Sequence, residues 1–134
     1  MVTIPDWIKQ SKQLTEAVIK DAWLELAIEA NKSRFKGGRM PIDTGFLTNS
    51  TKASIGSLPS GTSVAPDNYS QLEWDSGNVA LTINGMEIGD KLYIGWTASY
   101  AQYMENRYMF ARSATQKWPE IVNDSVSKMR QRFK

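Results

Sequence analysis

Ile19, Ala22, Trp23, Leu26, Ala27 and Ala30 recur at i, i+3, i+4, i+7, i+8 and i+11, which places them on one stripe of an α-helix. An apolar stripe of this length needs a second layer to cover it, so the fold must be built around one long helix. The spacing predicts that helix over residues 5–35. Lys12, Glu16, Lys20 and Glu29 lie largely off the stripe. Pro5 suits a first turn, and Asp6 puts negative charge where the helix dipole favours it. Gly37-Gly38 is expected to end the helix after Lys32, Arg34 and Lys36 have complemented its carboxyl end.

The remainder reads as a β region followed by helices. Pro41 to Leu47 is a turn that opens a strand, in which Asp43 can bond to the backbone two residues on and Gly45 supplies a permissive backbone. Ser50 to Ile55 continues as that strand. Residues 57–70, rich in Ser, Pro and Gly, form a long loop. Leu72–Trp74, Val79–Ile83 and Lys91–Trp96 have the β-branched and aromatic composition of two or three strands, punctuated by Gly77-Asn78, Asn84-Gly85 and Gly89-Asp90. A short helix over 99–106 is expected to start with Ser99 as N-cap. A second long helix covers 110–132, and Pro119 must kink it or restart it.

At 134 residues the chain fits a single domain, 1–134. Its parts are an N-terminal helix over about 5–35, a β region over about 44–97 and C-terminal helices over about 99–132. No βαβ alternation occurs. The expected class is therefore α+β, with an antiparallel sheet packed against a long N-terminal and a long C-terminal helix, and a long protruding loop.

Neither cysteine nor histidine occurs. That removes thiol nucleophiles, disulfides, Cys/His zinc sites and the usual general base near neutral pH. Gly37-Gly38 follows a helix and lacks the Lys-Ser/Thr continuation of a phosphate loop. Asp67, Asp75, Glu87 and Asp90 form no calcium-loop pattern. No serine sits in Gly-x-Ser-x-Gly. Glu73 with Asp75, or Glu87 with Asp90, remain as carboxylate pairs of the kind used in glycoside cleavage. No catalytic residue, metal ligand or cofactor is expected, and the chain is not expected to be an enzyme. No apolar run approaches the roughly 20 residues of a membrane helix. The stretch Met1–Trp7 lacks the pattern of a signal peptide.

Two stretches about fifty residues apart carry a resemblance. Pro41-Ile42-Asp43-Thr44-Gly45-Phe46-Leu47-Thr48-Asn49-Ser50 resembles the Pro-Val-Asp-Thr-Gly-x-Leu-x-x-Ser run of the head–tail joining, or tail-completion, proteins of long-tailed phages. In that family a long helix precedes the run, and a Gly-x-x-x-x-Tyr-Ala-x-x-x-Glu segment follows the β region. Here that segment matches Gly95 to Glu105, and a final helix then begins near Phe110. The likeness spans the chain from about residue 8 onward. Asn106-Arg107-Tyr108 stands where the family often has Gly-Thr, and Met109 replaces a common proline.

The resemblance implies a structural virion protein of the phage neck (a minor tail protein), present in host cytoplasm during assembly. It implies a homo-oligomeric, six-fold ring between a connector, adaptor or stopper protein and the tail-terminator or tail-tube protein, with transient contact to passing DNA and no membrane. Asp43, Thr44, Gly45 and Glu105 are then scaffold positions, with the two carboxylates capping and packing. Trp74, Tyr100, Tyr103 and Tyr108 are candidate interface groups with few rotors to freeze. Arg34, Lys36 and Arg39 are candidates to face the lumen. A tail-terminator ring is the alternative within the same class; a carboxylate-based small hydrolase and a nucleic-acid-binding module rank lower.

Charge is segregated along the chain. Residues 1–40 carry seven basic and five acidic side chains, 41–106 two and seven, and 107–134 seven and two. The three segments thus sum to +2, −5 and +5. Such asymmetry suits a solvated basic tail beside an acidic middle, or charge-complementary packing between neighbouring subunits.

Overall fold

A computed structural model of the chain describes residues 3–133. The architecture is α+β. Helix α1 (Ile4–Ala30) opens the chain, followed by a single 3-10 turn at Arg34–Lys36, a short α2 (Phe46–Asn49) and strand β1 (Thr51–Ile55). Then come α3 (Gly77–Asn84), β2 (Leu92–Trp96), α4 (Ala101–Tyr108), α5 (Phe110–Gln116) and α6 (Trp118–Arg132). The two strands pair antiparallel, with Thr51 opposite Trp96, Ala53 opposite Ile94 and Ile55 opposite Leu92. A two-stranded ribbon is not stable by itself, and here α3 and α1 cover one of its faces.

The N-cap of α1 is Thr3, whose hydroxyl accepts the Asp6 N–H and donates to the Asp6 carboxylate. Its apolar stripe is covered from two directions. On one side Ala27 joins Val79, Ile83, Met86 and Leu92 in a buried core, with Ile19, Trp23 and Leu24 packed against it. On the other side α6 lies along α1. There the Trp23 and Trp118 rings meet at 5.6 Å, the Ser125 hydroxyl donates to Asp21 at 2.7 Å, and the Lys128 ammonium reaches the same carboxylate at 3.1 Å. Asp21 holds the Lys128 ammonium above its ordinary pKa, chiefly through that hydrogen bond. A second core (Met40, Leu47, Ala98 and Phe110) lies where α2, β2 and α5 meet, with Trp96 edge-on to Phe110 at 4.9 Å.

Four sequence expectations are corrected. First, α1 stops at Ala30, so Lys32, Arg34 and Lys36 do not dress its last turn. The terminator is Asn31, whose side chain turns back to donate to the Ala27 carbonyl at 3.0 Å. Second, Val79–Ile83 is helical. A strand would bury 79, 81 and 83 together, but Leu81 is 73% exposed while Val79, Ile83 and Met86, at i, i+4 and i+7, are buried. Third, Leu72–Trp74 forms no strand, and the turn at Pro41–Leu47 leads into α2 before any strand begins. Fourth, the helix expected from Ser99 begins at Ala101 with Tyr100 as its N-cap, and the Ser99 N–H instead ties the segment to the long loop, donating to the Ser63 carbonyl at 2.9 Å. Of the two outcomes open at Pro119, a kink or a restart, the restart occurs: the helix breaks at Lys117 and Pro119 sits in the first turn of α6, where its missing N–H costs nothing.

The long loop is tied at two places. Ser63 forms a bridge to Ala98, its N–H donating to Thr97 at 2.7 Å, while Leu58 and Val64 remain in solvent. Further on, the Gln71 N–H donates to the Thr44 carbonyl at 2.9 Å.

Asn31 is the most heavily used polar side chain of the interior. Its Oδ1 accepts from the Thr48 hydroxyl at 2.8 Å and from the Trp96 indole N–H at 3.2 Å. The Thr51 hydroxyl also lies 3.2 Å away, but its single proton goes to the nearer Thr48 carbonyl. Two donors therefore fill the two lone pairs. Replacing Asn31 with Ala should destabilise the fold by about 3 kcal/mol, because two buried donors lose their acceptor. Thr48→Val should cost only about 1 kcal/mol, because it removes one donor from a group that keeps another. Denaturant unfolding of the two single variants and the double variant measures both values, and their non-additivity reports the shared oxygen.

Candidate functional site

The Pro41–Leu47 turn and α4 are brought together along one groove of about 1020 Å³. Asp43, Thr44 and Gly45 line it together with Tyr100, Met104 and Tyr108, and Arg34 and Phe35 contribute as well. Several local contacts hold the turn. The Thr44 hydroxyl accepts the Phe46 N–H at 3.3 Å, whereas the bond expected from Asp43 to the backbone two residues on does not form. Asp43 itself makes no hydrogen bond among the described residues and stays exposed. Its effect is electrostatic: burial, and then the Asp43 carboxylate, push the Tyr100 phenol above its usual pKa, against the Leu47 backbone N–H.

Gly45 is fixed by two constraints. Its φ is +84°, and a side-chain carbon there would overlap the Gln71 carbonyl. Asn49 completes the lock. The two protons of its amide nitrogen are shared among the carbonyls of Gly45, Gln71 and Glu73, each at 3.0 Å, and its oxygen accepts the Asp75 N–H at 2.8 Å. The end of the long loop is thereby clamped onto α2, reinforced by Phe46 edge-on to Tyr69 at 5.2 Å.

Glu105 acts as a cap. Its two carboxylate oxygens accept the Ala111 N–H at 2.8 Å and the Arg112 N–H at 3.3 Å, satisfying free donors at the start of α5. The corner between α4 and α5 is Met109, at φ +57°. Capping was the role expected of both Asp43 and Glu105; the structure assigns it to Glu105 alone. Tyr103 is 61% exposed on the outer side of α4. Trp74 stands apart from the tyrosines: it packs against the α1–α3 core and lines a neighbouring groove of about 850 Å³. Phe35, 86% exposed, forms the ridge between the two grooves.

The three candidate cations separate. Lys36 faces the Trp74 groove, whereas Arg34 and Arg39 line a small polar concavity of about 310 Å³ and are joined there by Arg107. The Arg34 guanidinium lies 4.5 Å from the centre of the Tyr108 ring and that of Arg107 lies 5.6 Å away. A tight turn brings Arg39 back beside Arg34. The Arg34 N–H donates to the Met40 carbonyl at 3.1 Å, and Gly37 takes φ +87°. Gly38 has no room for a side chain against the Lys32 carbonyl.

Among the described residues no three acidic, His or Cys side chains gather to hold a metal ion, and no helix is long and apolar enough to cross a membrane. Lys134, the last residue of the basic C-terminal segment, lies outside the described residues. Asn31, Asn49 and Arg107 were not singled out from sequence. Asn31 falls four residues after Ala27 on the buried stripe, and Asn49 sits inside the Pro41–Ser50 run, so both had a local signal. Arg107 had none, because only the fold brings it to Arg34. Comparison of the chain with protein-family models, with curated proteins and with solved structures gives no match.

Gly45→Ala should cost about 3 kcal/mol, combining left-handed strain with displacement of the loop at Gln71. Gly56 has a similar φ of +88° and open space around it, so Gly56→Ala should cost only about 1 kcal/mol. Denaturation midpoints of the two variants separate backbone strain from the clash with the loop.

Proposed function

We propose that the chain is a structural subunit of a long-tailed phage particle, forming a homo-oligomeric ring at the neck that joins the connector to the tail and lets DNA pass. The ordered Pro-Ile-Asp-Thr-Gly and Tyr-Ala-x-x-x-Glu stretches support this reading. The observation that carries it is that these stretches line one wide groove on a monomer that leaves several apolar side chains uncovered, at the groove and elsewhere on its surface. Phe35, Leu58, Val64 and Leu72 are all more than half exposed. So are Ile4, Trp7 and Ile8, a single stripe at the start of α1. Every described residue from Thr3 to Gln10 is exposed, so this end of α1 projects beyond the packed body. Isolated apolar side chains on a surface are ordinary, but a helical stripe capped by tryptophan is the kind of surface that a neighbouring subunit covers.

In this reading the Pro41–Leu47 wall and the tyrosines of α4 form the subunit's fixed receiving surface, α1 reaches toward a neighbour, and the tied loop presents Leu58 and Val64 to an adjacent ring or tail component. The subunit makes and breaks no covalent bond. A tail-terminator ring would use the same kinds of surface, and the two readings differ in where the protein lies in the particle.

Light scattering on the purified protein should give a multiple of the 15.1 kDa chain mass, either alone or with its connector partner, and labelling of particles should place it at the head–tail junction. Trp7→Lys combined with Ile8→Lys should abolish that assembly while leaving unfolding free energy within about 0.5 kcal/mol, because both positions are solvated in the monomer. A protein that is absent from particles and stays monomeric with every partner would sink the reading.

A further inference from the structure

We propose that the concavity walled by Arg34, Arg39 and Arg107 is a binding site for the phosphodiester groups of nucleic acid, read without regard to sequence. Its anion chemistry stands on geometry; it rests on the neck reading only for the source of the phosphates, the DNA passing through the ring.

Three lysines of this fold have carboxylate partners. Lys20 pairs with Glu16, Lys117 with Glu29, and Lys128 with Asp21 and Glu25. Among the described residues no arginine takes part in an ion pair. Three of them nevertheless share one small polar concavity with no acidic side chain on its wall. Bringing like charges together without an anion costs folding free energy, and a bound anion removes that cost.

The arrangement is also held in place. Two guanidiniums gather on the one Tyr108 ring, which fixes them without neutralising them. The glycine turn returns Arg39 to the same rim, and the Glu105 cap sets the corner that follows Arg107. Planar guanidinium forks match phosphate oxygens in pairs, which a lysine cannot do. All three arginines are exposed, so the site is open to a polymer running across it rather than closed around a small molecule. Phosphate contact alone carries no sequence information.

The test is binding of fluorescent duplexes of unrelated sequence to the full chain, measured by anisotropy across a salt series. Wild type should bind both duplexes equally. Arg34→Gln, Arg39→Gln and Arg107→Gln should each weaken binding about threefold to tenfold and reduce the slope of log affinity against log salt by about 0.9 for each phosphate no longer neutralised. Arg107→Lys should keep most of that slope while losing part of the affinity. Lys9→Gln and Lys12→Gln, which remove exposed charge elsewhere on α1, should change neither quantity. Matching melting curves establish that each variant is folded.

No duplex binding at low salt overturns the proposal, and so does equal weakening by the α1 lysine variants. Competition by polyglutamate as strong as by duplex also overturns it, pointing to acidic protein as the occupant. Light scattering on Arg107→Gln keeps the two readings separate. DNA binding weakened threefold to tenfold with intact assembly supports this site. A monomeric wild type that binds DNA through the three arginines supports it as well and removes the ring.

Discussion

The fold depends on one carbonyl oxygen. Asn31 Oδ1 lies where the end of α1, the start of β1 and the end of β2 come together, and it accepts from Thr48 and Trp96 while the Asn31 amide holds the last turn of α1. A buried acceptor with two donors from distant segments fixes geometry in a way that apolar packing does not. Leu and Ile side chains tolerate sliding, whereas hydrogen bonds near 3 Å lose strength quickly with distance and angle. The helix layer and the two-stranded ribbon are therefore registered to each other at one point, and the two apolar cores fill in on either side of it.

Much of this was legible in the sequence because it is local. The stripe from Ile19 to Ala30 is a helix whatever else happens, and Pro119 marks a helix start by its missing N–H. What was misread is where tertiary contacts decide. Val79-Ala80-Leu81-Thr82-Ile83 has the composition of a strand, yet burying Val79, Ile83 and Met86 between α1 and the ribbon selects the helical period over the strand period. Ser99 looks like an N-cap, but its backbone belongs to the bridge with Ser63. The end of α1 was placed at the conspicuous glycines, when a polar side chain seeking a buried partner ended it six residues earlier.

The candidate surfaces divide in the same way. The Pro41–Leu47 run announced a constrained turn, and Gly45 is constrained as expected, though by the approach of a loop more than twenty residues away. The turn bond comes from Thr44, whose hydroxyl accepts the Phe46 N–H, while Asp43 stays exposed. The groove itself could not be read from the chain, since its walls are about fifty residues apart. The arginine concavity was half visible: Arg34 and Arg39 are neighbours in sequence, while Arg107 joins them only through the α4–α5 corner that Glu105 closes.

The projecting start of α1 has a mechanical consequence. A helix of 27 residues is a stiff rod about 40 Å long. It is anchored by the Asn31 oxygen at its base and flanked by α6 along its middle, so its tip is a cantilever. A tilt of about 5° at the anchor would carry Trp7 sideways by roughly 3 Å, on the scale of a helix shift at a subunit interface. The aim of the exposed tryptophan is thus set well away from it, where Asn31 and the packing of α6 and the core hold the rest of the rod.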